Sequence, residues 1–238
     1  MGNDSKIKVS KNGPYLVSGS IPLERENSVP NEAGIPEKWE RAGKITIEKN
    51  YSLCRCGKSK SKPFCDGSHV KAGFDGTEAA THTKYDVQAE IYDGPELVLK
   101  DAEDLCSLGR FCDLGDQVWN LVENSDDPEA KKLAIQESCN CPSGRLVVTD
   151  KKTGETVEPK FDPSISVTED LGAGTSGPLW VKGGVVVESA DGEDYEVRNR
   201  VTLCRCGKSQ NKPFCDGNHV SAGFIDESRN KDQGAEVK

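Results

Sequence analysis

Short apolar runs broken by glycine and proline mark both ends of the chain. Near the N-terminus, "NGPYLVSGSIPL" (residues 12–23) sets Gly-Pro before a β-type run, then a glycine, then a second apolar run. "SGPLWVKGGVVV" (176–187) repeats that order. Runs this short, with such punctuation, predict strands rather than helices. Both copies lead into "LCRCGKS", and farther on into "HVKAGF" and "HVSAGF". Each copy is therefore expected to form two or three short strands, a cysteine-bearing loop and one helical turn. The first copy carries an extra stretch, "RENSVPNEAGIPEKWERAG", whose Pro, Gly and charge predict an insertion loop.

Between the copies the pattern changes. "YDVQAEIY" (85–92), "ELVLKD" (96–101) and "RLVVTD" (145–150) read as strands. "DPEAKKLAIQESC" (127–139) carries helix-start signals: Asp127 as N-cap, Pro128 at the first position and Glu129 in the first turn. "DLGAGTSG" (170–177) has glycines without the strand–turn–helix context of a dinucleotide site, and reads as a linker. From Ile225 the chain is polar and expected to fray. The organisation expected is a first module over 1–84, a middle domain over 85–162, a second module over 163–224 and a polar tail over 225–238.

Composition narrows the source of stability. Only 6% of the 238 residues are aromatic and 30% are charged, so no large aliphatic core is expected. Modules below about 70–80 residues then need metals or disulfides, and the chain has 10 cysteines. "MGNDSKIKVS" has no apolar core of a secretory signal, and no apolar run reaches the roughly 18 residues of a membrane span. The expectation is a soluble cytoplasmic protein without a membrane partner, where clustered cysteines serve as metal ligands. A net charge of −9 argues against nucleic-acid binding. The cysteine loops are nonetheless basic. Arg55, Lys58, Lys60, Lys62 and Lys71 against Asp66 give a local +4, and Arg205, Lys208 and Lys212 against Asp216 give +2. Such islands suit a solvated loop, compensation for an anionic cluster, or a docking face.

The repeated loops are "CRCGKSKSKPFCDGSH" (54–69) and "CRCGKSQNKPFCDGNH" (204–219). Both have the spacing Cys-x-Cys-x8-Cys-x3-His. Cys54 and Cys56, two apart, can aim at one metal atom. Cys65 and His69, four apart, can meet a second metal from one helical turn. Cys204, Cys206, Cys215 and His219 repeat the scheme. A two-plus-two division suits a [2Fe–2S] cluster, in which each iron needs two protein ligands. Pro63 and Pro213 stiffen the loop, and Asp66 and Asp216 can cap the turn. Spacing alone also permits a Cys3His zinc site. A histidine ligand lowers the cluster's negative charge and raises its potential. Its second nitrogen can take a proton near physiological pH, so acid is expected to labilise the cluster. His82, in "EAATHTKYD", has no cysteine at ligand spacing and reads as a surface residue.

These loops resemble the CDGSH iron–sulfur (NEET) family, whose motif is C-x-C-x2-[ST]-x3-P-x-C-D-G-[STA]-H. The first copy satisfies every position, and the second departs once, at Asn218. The resemblance implies a [2Fe–2S] cluster held by three cysteines and one histidine in each module. It also implies a β-rich fold whose modules pair as a dimer, here as an intramolecular pseudo-dimer within a monomer. In the middle segment, "LCSLGRFC" holds Cys106 and Cys112, and "SCNCPSGRL" holds Cys139 and Cys141. That pattern is similar to the divergent mono-cluster [4Fe–4S] domain, with C-x5-C followed by CPSG-A-L. Arg145 stands where Ala is usual, and the family's aromatic-Pro-Trp stretch is missing. The resemblance implies a small ferredoxin-like α+β domain. A third cluster is expected there, [4Fe–4S] or [3Fe–4S], on Cys106, Cys112, Cys139 and Cys141 or with Cys139 spare. Zinc and unligated thiols are the alternatives.

The fold class expected is thus small β-rich, metal-stapled modules around an α+β middle domain. No phosphate-binding glycine loop and no nucleophile with a paired base point to an enzyme. The function expected is electron transfer and/or cluster transfer, with a redox partner protein or an apo iron–sulfur acceptor. A zinc-stapled structural or interaction module without redox activity is the alternative.

Overall fold

A computed structural model describes residues 5–229. Residues 1–4, and positions 230–238 of the expected tail, lie outside the described residues. The first repeat supplies β1 (Lys6–Val9), β2 (Tyr15–Ser18), β3 (Leu23–Pro30), β4 (Pro36–Ile45), β5 (Tyr51–Leu53) and the turn α1 (Ser68–Lys71). The middle segment forms α2 (Tyr85–Gln88), β6 (Glu90–Asp93), β7 (Leu97–Asp101), α3 (Val118–Glu123), α4 (Pro128–Asn140), β8 (Leu146–Asp150) and β9 (Thr156–Val157). The second repeat supplies β10 (Ser164–Asp170), β11 (Thr175–Lys182), β12 (Val186–Glu188), β13 (Arg200–Leu203) and α5 (Asn218–Ser221).

The repeats exchange strands. One sheet has the order β12-β1-β2-β5, and a second has the order β13-β11-β10-β3-β4. β1 runs parallel to β12 of the other repeat, and β10 runs parallel to β3. Within each repeat, β2 pairs with β5 and β11 with β13, with Tyr15 opposite Leu53 and Leu179 opposite Leu203. A single core results, in which Ile7, Val9, Val17 and Leu53 pack with Ile165, Val181, Val187 and Leu203. Neither repeat closes that core alone, because the second lends β12 to one sheet and the first lends the β3–β4 pair to the other.

The stretch expected as an insertion loop is instead the long β3–β4 hairpin, paired from Leu23↔Ile45 to Pro30↔Pro36. The charges of β4 stay exposed, but those of β3 are buried against the second repeat. Lys182 donates to Glu24 (3.1 Å) and Glu26 (2.9 Å), and all three side chains are buried. Trp39 of β4 packs on Phe111 and Trp180, with ring centroids 4.9 and 4.8 Å away, and its Nε1 donates to the Asn140 carbonyl. The hairpin thereby ties all three segments together. "DLGAGTSG" is the turn of the β10–β11 hairpin rather than a linker. The first half of "YDVQAEIY" is the helical turn α2, with only its second half in β6.

The middle segment is a four-stranded antiparallel sheet, β6-β7-β8-β9, covered by α3 and α4. α4 begins as expected, with the Asp127 carboxylate accepting from Glu129 N and Pro128 in the first turn. On α4, buried Glu137 accepts from Gly115 N at 2.7 Å through Oε1, while Oε2 has no partner. Burial pushes its carboxyl up to about 7. Folded chains therefore hold a proton that unfolded chains release, and stability falls as pH rises from the ordinary carboxylate range through about 7. Glu137→Gln keeps the acceptor for Gly115 and removes the titration. Urea unfolding should show it about 1–3 kcal/mol more stable than wild type at pH 8, and equal to it near pH 4.

Candidate metal centres

The two repeated loops fold alike. Cys54 N donates to the Pro63 carbonyl and Cys65 N to the Ser52 carbonyl; Cys204 and Cys215 repeat this with Pro213 and Thr202. The prolines close the loops through cis peptide bonds. Ser59 and Ser209 donate to the Phe64 and Phe214 carbonyls. The turns α1 and α5 start at Gly67 and Gly217, both with φ of 82°, a left-handed conformation suited to glycine. Asp66 accepts from Lys60 N (2.8 Å) and Ser68 N (2.9 Å), which hold its carboxyl well below the usual range. Asp216 makes the same bonds to Gln210 N and Asn218 N. Asn218 Nδ2 adds a bond to the Asp216 carboxylate at 2.8 Å, so the one departure from the motif is locally accommodated.

The donors come in pairs. Cys54 Sγ and Cys56 Sγ are 3.8 Å apart, and Cys204 Sγ and Cys206 Sγ are 3.7 Å apart. Cys65 Sγ lies 3.4 Å from His69 Nδ1, and Cys215 Sγ 3.4 Å from His219 Nδ1. Metal bonds of about 2.3 Å to sulfur and about 2.0–2.1 Å to nitrogen give tetrahedral edges of about 3.8 and 3.6 Å. Each pair thus suits two corners of one metal's tetrahedron. Among the described residues, no group of three or more Cys, His, Asp or Glu side chains is placed to hold a single ion. A Cys3His zinc site needs all four donors around one point, whereas two pairs suit a two-metal cluster.

Identical surroundings do not follow from identical motifs. The Cys56 thiol is pushed up to about 11, first by burial. In the other loop the hydrogen bond between the two thiols favours one thiolate: it lowers Cys204 to about 6 and raises Cys206. Cys215 is raised by burial, by Cys204 and, further out, by Cys106 of the middle domain. His219 is buried and burial lowers it to about 4, while His69 is only half-buried.

In the sequence Arg55 and Arg205 counted only as basic charge, and Gly57, Gly207, Tyr15, Phe64 and Phe214 carried no signal of their roles. Arg55 and Arg205, between the paired cysteines, are fully buried. Arg55 donates to the Ser10 and Gly76 carbonyls and lies over the Tyr15 and Phe74 rings. Arg205 donates to the Gly177 and Thr168 carbonyls and pairs with Glu169 (2.9 Å) and Asp226 (2.5 Å). The fraying expected from Ile225 therefore does not begin there, because Asp226 is fully buried. Gly57 and Gly207 join the two loops. Cys56 and Cys206 form an antiparallel bridge, and a Cβ at Gly57 would lie 2.5 Å from the Cys206 carbonyl, one at Gly207 2.6 Å from that of Cys56. Both glycines also have positive φ. Gly57→Ala or Gly207→Ala should each lower stability by about 2–5 kcal/mol in urea unfolding, combining left-handed strain with a backbone clash. Lastly, Tyr15 and Phe64 or Phe214 seat the loops; the Tyr15 hydroxyl reaches across to donate to the Cys204 (2.8 Å) or Pro213 (3.0 Å) carbonyl.

In the middle domain Cys106, Cys112 and Cys141 line one small cavity, with Pro142, Ser143 and Arg145. Burial pushes the Cys112 thiol up to about 12, with Cys141 and Cys106 adding to it. Cys139 points elsewhere, its Sγ 3.7 Å from the Val157 carbonyl on β9. Arg145, at the position where the sequence pattern departs, binds Asp101 through Nε (2.5 Å) and Nη2 (2.8 Å) and lies over Trp119. Burial works against its charge, and Asp101 and Cys106 outweigh it. From β13, buried Arg200 donates to the Cys141, Ser138 and Leu146 carbonyls and locks the cysteine turn to the second repeat. His82 is exposed, as expected, and stacks on Tyr195 at 4.3 Å.

Comparison with known families agrees with this division. A family described as iron-binding zinc finger CDGSH type matches residues 12–70 and 176–220. A divergent 4Fe-4S mono-cluster family matches residues 92–151. Neither the curated proteins nor the solved structures yield a significant match. No helix among the described residues is long and apolar enough to cross a membrane. The chain is an iron–sulfur binding protein that combines two domains of the CDGSH iron-binding family with a divergent 4Fe-4S mono-cluster domain between them.

Proposed function

We propose that the protein carries electrons or iron–sulfur clusters. Cys54, Cys56, Cys65 and His69 would hold one [2Fe–2S] cluster, and Cys204, Cys206, Cys215 and His219 another. The observation that carries this reading is the pairing of donors at tetrahedral spacing, repeated in both loops. Such a cluster supplies one-electron chemistry, at a potential that histidine ligation raises. Arg55, whose hydrogen-bond acceptors are backbone carbonyls, would bring positive charge near the first cluster, whereas Glu169 and Asp226 offset that of Arg205; the paired cysteines are buried and would be kept from water. The reciprocal strand exchange supports an intramolecular pseudo-dimer, so that a monomer is the working unit.

Cys106, Cys112 and Cys141 would hold a third cluster, since they line one cavity while Cys139 lies against β9, which favours a centre with Cys139 spare. Arg145 lines the same cavity, with its charge paired to Asp101. A redox protein or an apo iron–sulfur acceptor is the partner, the cytoplasm is the compartment, and the chain is a carrier rather than an enzyme. The test is iron, zinc and acid-labile sulfide per chain after anaerobic purification. About four irons and four sulfides from the outer modules, and about seven or eight of iron with the middle centre filled, are expected. Zinc without sulfide would overturn the reading.

A further inference from the structure

Two equivalent glycines meet opposite surroundings. A Cβ built on Gly67 meets nothing within 4 Å, whereas one on Gly217 would lie 2.4 Å from Leu108. Leu108 belongs to the middle-domain segment 104–110, which lies across the second loop and is held beside it. Asn211 Nδ2 donates to the Asp104 carbonyl at 3.0 Å. Arg110 Nη2 binds both oxygens of Asp170 on β10, at 2.8 and 2.9 Å, and Nη1 donates to the Gly34 carbonyl. Leu108 itself is held at φ of 52°, unusual for a leucine. The same segment contains Cys106, so it is also one wall of the middle cysteine cavity.

Exposure follows this asymmetry. His219 is 4% exposed and Cys215 2%, whereas His69 and Cys65 are half-buried and Val70 beside them is 75% exposed. Charge follows it too. Lys60 and Lys71 stand exposed around the first loop, where the second has Gln210 and Ser221. An accessible loop with added lysines, on a chain of net charge −9, favours an acidic protein surface.

We propose that the two outer centres divide their labour: segment 104–110 is a cap that closes the second, and the first is the port through which cluster passes to an acidic protein acceptor. This rests on the function proposed above. The exchange is ligand substitution without net oxidation. Four acceptor thiolates replace His69 and the Cys54, Cys56 and Cys65 thiolates at iron; of the four protons that the acceptor thiols release, three go to the freed thiolates and the fourth to the freed His69 imidazole or to solvent. The second centre stays behind its cap, with the middle centre sharing one wall.

Two loaded full-length variants separate the centres: Cys215→Ser keeps the first and Cys65→Ser keeps the second. Iron loss to EDTA is followed by visible absorbance and by EPR of reduced aliquots. The second centre should lose iron at least about tenfold more slowly, the effect of a cap whose opening costs about 1.4 kcal/mol. Leu108→Gly in the Cys65→Ser chain removes the cap's side chain and relieves its backbone, so the fold is kept. It should bring loss close to the rate of the first centre. Equal rates in the two single-centre chains, or no acceleration by Leu108→Gly, would overturn the cap. With an acidic apo-ferredoxin as acceptor, K60Q/K71S should slow transfer from the first centre while leaving loss to EDTA unchanged; transfer unaffected by both substitutions would overturn the port. A chain that binds no iron and sulfide defeats the proposed function itself, whereas a loaded chain with two equivalent outer centres defeats only the division.

Discussion

Asp226→Ala should destabilise the protein by about 3–5 kcal/mol. Asp226 is fully buried and pairs with Arg205, which is buried between two cysteine donors of the second loop. Burial pushes the Asp226 carboxyl up, but Arg205 and Ser228 pull it below the usual range, so the carboxylate is charged in the fold. Deleting it leaves the buried guanidinium with Glu169 and backbone carbonyls only. Ser228 also loses the acceptor for its N–H and hydroxyl. Asp226→Asn keeps a neutral acceptor and should recover part of the loss. Urea unfolding read by tryptophan fluorescence measures both, and an alanine variant within about 0.5 kcal/mol of wild type would show that the pair does not hold the second loop. The matching experiment at Arg55 differs in kind, since Arg55 donates to the backbone carbonyls of Ser10 and Gly76.

Cys204→Ala should remove one whole outer cluster, about two irons and two sulfides per chain, and leave the first centre filled. Cys204 and Cys206 form one 3.7 Å pair, and Cys204 is fully buried. With one corner gone, neither solvent nor a spare cysteine is at hand, since Cys139 lies against β9 in the middle domain. The substitution is small and apolar at an apolar, enclosed position, so the fold should survive it. Cys54→Ala should empty the first centre in the same way. Iron and sulfide analysis beside the wild type decides the matter, and an undiminished content in Cys204→Ala would exclude this pair as ligands.

Much of the site is legible in the residues because ligand spacing is local chemistry. Two cysteines separated by one residue, and a cysteine and histidine separated by three, meet wherever the backbone turns once, and Cys65 and His69 do so at α1. The strands beside them, and α4 with its Asp127 cap, are likewise short-range consequences of pattern. What failed was the rule that charge and proline mean loop. Glu24 and Glu26 sit on a strand because Lys182, more than 150 positions away, buries with them. Asp226 looks like a tail residue until Arg205 closes on it.

By itself, the sequence determined the candidate donor sets of the two outer loops, their repetition and the presence of a separate cysteine-rich segment between them, since these depend on residue type and spacing alone. Only the tertiary structure decided that the repeats trade β3 and β12 across two sheets, that Gly57 and Gly207 back onto each other's cysteine carbonyls, and that Cys139 stands apart from Cys106, Cys112 and Cys141. It also made unequal two loops that read almost alike, by laying Leu108 over one and open space over the other. The reason is physical: a ligand pair is built within one turn of chain, whereas burial and accessibility are set by whichever distant segment packs against it.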